Sequence, residues 1–185
     1  MLENPQYETS MARIGASLID SCIFIPISYA DEYICKYFVS VDFQNKAIIF
    51  FWVAFINVLY LGYSIYLHHK YGQTFGKMFC NIRVVDISET RGITIKQAIL
   101  RDIIYVIFAI LSLSYLAYQL SEVNILSPQL FGYTEGSEID ILNDILLMWA
   151  FIDIIPIFFN AKKRSLHDFI AGSVVIRSEY IQTKS

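Results

Sequence analysis

Four long apolar segments decide what this chain can fold into. They run over about Ala12–Ala30, Ala47–His68, Ile103–Leu120 and Ile141–Asn160. Each is close to the ~20 residues that a helix rising ~1.5 Å per residue needs to cross the hydrocarbon of a bilayer. The composition agrees. Of the 185 residues, 56% are hydrophobic and 17% charged. A soluble domain is usually about 45–50% apolar and about 25% charged. The expected fold is therefore all-α: a single membrane domain over residues 1–185, built as a four-transmembrane-helix bundle.

The loops orient the spans. Loop 71–100 carries Lys77, Arg83, Arg91 and Lys96, and the tail 161–185 opens with Lys162, Lys163 and Arg164. The segment Ser121–Asp140 carries Glu122, Glu135, Glu138 and Asp140 and no basic residue. The first loop, Asp31–Lys46, is mixed. Basic loops stay on the cytoplasmic side, so both termini are expected there. The N-terminal stretch lacks the basic region and cleavage site of a signal peptide, which makes the first segment a retained helix. Within loop 71–100, Asn81–Ile87 alternates polar and apolar residues, SETRG offers a turn, and ITI resumes the alternation. This pattern predicts a small cytoplasmic β-hairpin between the second and third spans.

Polar residues inside the apolar segments carry the functional signal. Asp20 lies in the first span and Asp153 in the fourth, where an ionisable group is expensive. Counted by helical rise from the cytoplasmic ends, Asp20, Asp153 and Asn57 of the second span sit at similar depth. They are the candidate ion- and proton-binding residues. Burial raises a carboxyl pKa, so such a group can alternate between proton and cation. Pro26 and Pro156 each free a backbone carbonyl near one of these aspartates, and broken helices hold ions in transporters. Arg13 shares a helix face with Asp20 but lies too far along the axis for a close ion pair. It is expected to reach back to water at the headgroups.

Several motifs recur in an order that matches a known pattern. Arg13, Ala16 and Asp20 form R-x-x-A-x-x-x-D. Gly72, Thr74, Gly76 and Lys77 form G-x-T-x-G-K, with Arg83, Val84 and Val85 following. Arg101 enters the third span. Arg164, Leu166, His167, Asp168, Ala171, Gly172 and Ser173 form R-x-L-H-D-x-x-A-G-S. In these blocks the chain resembles the RDD family of small bacterial membrane proteins, named for an arginine and two aspartates. The resemblance implies the bacterial cytoplasmic membrane. It also implies possible transport, some members looking like sodium/proton antiporters. Arg13 and Asp20 would match the arginine and membrane aspartate of the name, and Asp168 the C-terminal aspartate.

Other chemistries are not expected. G-Q-T-F-G-K is one residue short of a P-loop between its glycines, and Met78 stands where that motif needs Ser or Thr. Turn geometry from Gly72 and Gly76, with Lys77 at lipid phosphates, is the expectation there. Arg164, His167 and Asp168 are expected to interlock at the cytoplasmic mouth, with Arg13 or Arg101 as partners. No nucleophile motif and no HExxH argue for an enzyme. Cys22, Cys35 and Cys80 show no metal or disulfide spacing. No cofactor and no metal are expected, and a net charge of −3 leaves no footprint for nucleic acid. The expected partners are the bilayer, monovalent cations with protons, and a second copy of the chain. Two readings of function stay open: a cation/proton exchanger working through buried aspartates, or a non-transporting module whose basic loop binds a partner or lipid.

Overall fold

The computed structural model of the chain describes residues 5–40, 46–122 and 138–182. After a 3-10 turn at Pro5–Tyr7 come α1 (Ser10–Ser40), α2 (Lys46–Tyr71), the short α3 (Phe75–Phe79) and β1 (Ile82–Asp86). Then follow α4 (Ile95–Arg101), α5 (Ile103–Glu122), α6 (Glu138–Ile154), a 3-10 turn at Ile155–Phe158, α7 (Leu166–Ala171), β2 (Ser173–Arg177) and α8 (Glu179–Gln182).

The fold is mostly helical. Among the described residues, two helices are long and apolar enough to cross a membrane, over Pro5–Ile34 and Ala47–Tyr71. A third crossing results if α4 and α5, whose axes differ by 65°, are taken as one broken span. The fourth predicted segment starts as α6 but stays helical only to Ile154. Pro156 then stands at the head of the 3-10 turn, where its missing N–H breaks the helical ladder. Large apolar side chains, among them Leu18, Phe51, Phe55 and Val58, stand exposed along α1 and α2. Surface of that kind faces a bilayer or a partner. The first span runs past its predicted end at Ala30, so that Asp31–Ser40 of the expected first loop is helical. The acidic segment used to orient the chain lies almost wholly outside the described residues.

The hairpin expected within loop 71–100 does not form. β1 pairs antiparallel with β2, from the C-terminal tail, in the register Ile82↔Arg177 to Asp86↔Ser173. The ITI segment goes a different way because Thr94 caps α4. Its hydroxyl accepts from the Gln97 backbone N–H while the Gln97 side chain accepts from the Thr94 backbone, a reciprocal capping box. The strand pair is buried on both faces. Ile82, Val84 and Val175 pack with Ala16 of α1, with Ile93 before the N-cap of α4, and with Ala98 of α4. Val85, Val174 and Ile176 pack with Tyr7 on the other side. A strand covered on both faces reads as a continuous apolar run rather than an alternation.

The two loop glycines serve different purposes. Gly72 turns the chain out of α2 with φ +69°, and a Cβ there would lie 2.6 Å from the Val84 carbonyl oxygen. Gly76 is no turn residue. It lies in α3 and lets that helix close onto α1, since a Cβ at Gly76 would sit 2.0 Å from the Ala16 carbonyl oxygen. This contact positions everything that follows at Asp20.

Candidate functional site

Asp168 is the centre of an ion-paired knot. It is the third residue of α7, whose N-cap Ser165 holds it in a capping box. Its carboxylate is fully buried. Arg13 Nη1 of α1 donates to Oδ2 at 2.6 Å, and Arg101 Nη1 of α4 lies 2.8 Å from Oδ1. Ser165 Oγ donates to Oδ2 at 3.2 Å and Ser173 Oγ of β2 to Oδ1 at 3.1 Å. Burial alone would raise this carboxyl; Arg101 and then Arg13 outweigh it and hold the group well below the usual carboxylate range. Arg13 also donates to the Lys163 carbonyl at 2.9 Å and to Thr9 Oγ1 at 3.1 Å. It does not reach back to water as predicted, because a fully buried carboxylate claims it. Arg164 braces the knot from outside, donating to the backbone carbonyls of Ser173 and Asp168, each at 2.8 Å, and stacking on Phe169.

His167 links the knot to Asp153. Its backbone N–H donates to Asp153 Oδ1 at 2.8 Å, and its Nδ1 lies 2.6 Å from Oδ2. Arg101 Nη2 lies 2.7 Å from the other ring nitrogen, Nε2. Arginine only donates, so Nε2 must accept and the proton must sit on Nδ1, facing Asp153. Burial, and then the Arg101 charge, push His167 below its ordinary value, against the opposing pull of Asp168 and Asp153.

Asp20 is held by the loop motif rather than by another membrane aspartate. Thr74 Oγ1 donates to Oδ2 at 2.6 Å, and the Gly76 backbone N–H donates to Oδ1 at 2.8 Å. Tyr63 of α2 adds its hydroxyl to Oδ1 at 2.7 Å. Thr74 is also the N-cap of α3. The two motifs, which the sequence shows only as separate blocks, are thus halves of one contact. Asn57 does not join Asp20, since its Nδ2 donates to Val53 one turn back on its own helix. Arg83 lies apart on β1, beside Gly72, with its Nε buried and without a hydrogen-bond partner among the described residues.

A cavity of about 450 Å³ lies beside the knot. Asp20, His68, Lys77, Asp102, Asp153 and His167 line it, with Arg13 and Arg101 at the knot side. Phe24, Tyr60, Tyr63, Tyr105 and Phe158 supply apolar wall. Lys77 points into this space and not to lipid phosphates. Its Nζ lies 2.5 Å from His68 Nε2. His68 Nδ1 meets the Ser64 carbonyl at 2.9 Å, so the proton sits on Nδ1 and Nε2 accepts from the lysine. Burial first, then the Arg101 charge, lower Lys77 from its ordinary value near 10.5 to about 7; Asp102 and Asp168 pull the other way. Asp102 is only 8% exposed, and its Oδ2 is buried without a hydrogen-bond partner among the described residues.

Sequence reasoning named Asp20, Asp153, Arg13, Arg101, Lys77, Arg164, His167 and Asp168, which the structure gathers at the knot and the cavity, and did not name Asp102, His68 or Tyr63 as site residues. Asp102 follows Arg101 at the mouth of an apolar run and reads as an interfacial charge. His68 has a local signal, Ser64 one turn before it. Tyr63 has none among thirteen tyrosines. Among the described residues, no group of three or more His, Cys, Asp or Glu could hold a metal ion.

Long apolar helices that leave large apolar side chains exposed are a membrane-protein arrangement. The particular family is shown by sequence: the RDD family model matches residues 7–172, and this chain belongs to the RDD family. No curated protein and no solved structure matches it.

Proposed function

We propose that the protein is a four-span membrane bundle that exchanges a monovalent cation for protons. The spans would be α1, α2, α4 with α5, and α6 with its 3-10 extension, and both termini would lie in the cytoplasm of a bacterial cell. The observation that carries this reading is the cavity of about 450 Å³, because its ionisable lining comes from α1, α2, α3, α6 and α7 and from the α4–α5 break. A cation pathway needs charge that converges from several helices on one space. Charges that face lipid would serve no such purpose and cost at least a few kcal/mol each. The titration of Lys77 near neutrality supports proton coupling, since both of its states are then populated at physiological pH. Four short helices make a thin wall, which a dimer would thicken.

The test is proton flux in vesicles reconstituted with the purified protein. A sodium, lithium or potassium gradient should drive pH change faster than in empty vesicles. Flux equal to that of empty vesicles for all three ions would overturn the proposal.

One observation favours the second reading, a non-transporting module. Asp20, Asp153 and Asp168 all carry protein donors on both oxygens. On this reading the polar network only holds the helices together, and the exposed apolar faces receive a partner subunit. Purification in mild detergent distinguishes the two: a stoichiometric partner and no flux in the pure chain would support the module.

A further inference from the structure

We infer that Asp102 is the carboxylate that binds the transported cation, with the Lys77 ammonium as the positive charge the ion displaces. The inference rests on the exchanger reading and names the ion site within it.

The carboxylates around the cavity differ in what they have left to offer. Asp168 has both oxygens in ion pairs with arginines. Asp153 has both on His167. Asp20 has Oδ1 on Tyr63 and Gly76 and Oδ2 on Thr74. Each would have to release donors that tie separate elements together before it could ligate an ion. Asp102 Oδ2 has no donor to release. An ionised carboxylate offers about four lone-pair sites, and leaving a buried one unmatched is unfavourable. A bound cation removes that penalty.

The position of Asp102 fits a cation. It is the C-cap of α4 and directly precedes α5, at the 65° break. The positive end of the α5 dipole favours negative charge at this position. The charged and titratable groups that line the same cavity as Asp102 are Arg13 and Asp20 from α1, His68 from α2, Lys77 from α3, Arg101 from α4, Tyr105 from α5, Asp153 from α6 and His167 from α7. Lys77 and Tyr105 both lie within electrostatic reach of it. With the two histidines neutral and Arg13 and Arg101 engaged on Asp168, Lys77 is the cation that balances Asp102 when no ion is bound. One carboxylate with neutral oxygens suits a monovalent alkali ion. A divalent ion would want several carboxylates, and no such group is present among the described residues.

The experiment is titration of sodium and lithium chloride against the purified protein in detergent, with flux measured in parallel in vesicles. Asp102→Asn should weaken binding about tenfold or more, while Asp153→Asn changes it little. Lys77→Met should tighten binding, because the competing ammonium is gone. The Asp102→Asn chain should melt no lower than the parent, since Oδ2 has no hydrogen bond to lose. Unchanged ion binding in Asp102→Asn would overturn the inference, and so would a melting point several degrees lower, which would make Asp102 a structural charge. Flux that persists in Asp102→Asn leaves an exchanger with a different ion site. Ion binding lost in Asp102→Asn, in a protein that gives no flux, supports the site and removes the exchanger.

Discussion

Asp168 and Asp102 are two buried carboxylates on either side of Arg101, and they are in opposite condition. Asp168 has two arginines, two serine hydroxyls and a backbone N–H. Asp102 has one oxygen with no hydrogen-bond partner. The same contrast runs through the cations. Arg13 and Arg101 are committed to the knot, whereas Lys77 leans on a neutral imidazole and sits near its titration point. Charge that is fully matched fixes one arrangement of helices. Charge that is left short of partners within hydrogen-bond reach is available to a ligand. The molecule keeps both kinds within one charged region and separates them by how completely each is satisfied.

The contrast breaks or sharpens under mutation. The largest effect is expected at the knot. Arg13→Met strips Asp168 of one arginine, and breaking a buried pair from one side costs ~3–5 kcal/mol; denaturant unfolding in detergent reads it. Gly76→Ala comes next. Its methyl group would meet the Ala16 carbonyl, forcing α3 off α1 at ~1–3 kcal/mol or more, and should loosen Asp20 as well. The melting temperature checks the first, and proteolysis of the loop around Thr74 the second.

Lys77 gives a pH signature. Its folded value is lowered to about 7 from near 10.5. Between those limits the unfolded chain binds more protons than the folded one, so this group makes stability rise with pH across that window. Below about 7 both states are protonated and the full penalty of the buried ammonium remains. Lys77→Met should remove the rise; an identical pH profile in the variant would mean that Lys77 is hydrated. The smallest effect is expected from Thr94→Val, which removes the cap of α4 at ~1 kcal/mol. Because α4 ends in Arg101 and Asp102, this change should disturb both kinds of charge together, visible as faster amide exchange over Ile95–Arg101.

Much of the architecture was legible because it rests on local signals. Apolar length marked the helices, although the fourth segment stops being α-helical at Ile154, short of its expected end at Asn160. Residue type also marked the members of the knot, since Arg13, Arg101 and Asp168 are too expensive to bury unmatched. The hairpin failed for a different reason. A strand reports its burial but not its partner, and β1 found Ser173–Arg177 some ninety residues away because Thr94 committed the neighbouring segment to a helix. The depth argument for Asp20 failed in a similar way. Helical rise measures distance along one axis and cannot show that α3 folds back onto α1 through Gly76. Asp102 was hidden because an acid beside an arginine reads as an ordinary pair, whereas here the arginine turns to Asp168.

The most direct measurement is the unfolding of Asp168→Asn and Asp102→Asn side by side, in one detergent near neutral pH. Asp168→Asn should lose ~3–5 kcal/mol, since two arginines are left facing a neutral group. Asp102→Asn should match the parent chain or exceed it. Equal losses in the two variants would contradict the division between matched charge that builds the protein and unmatched charge that serves it.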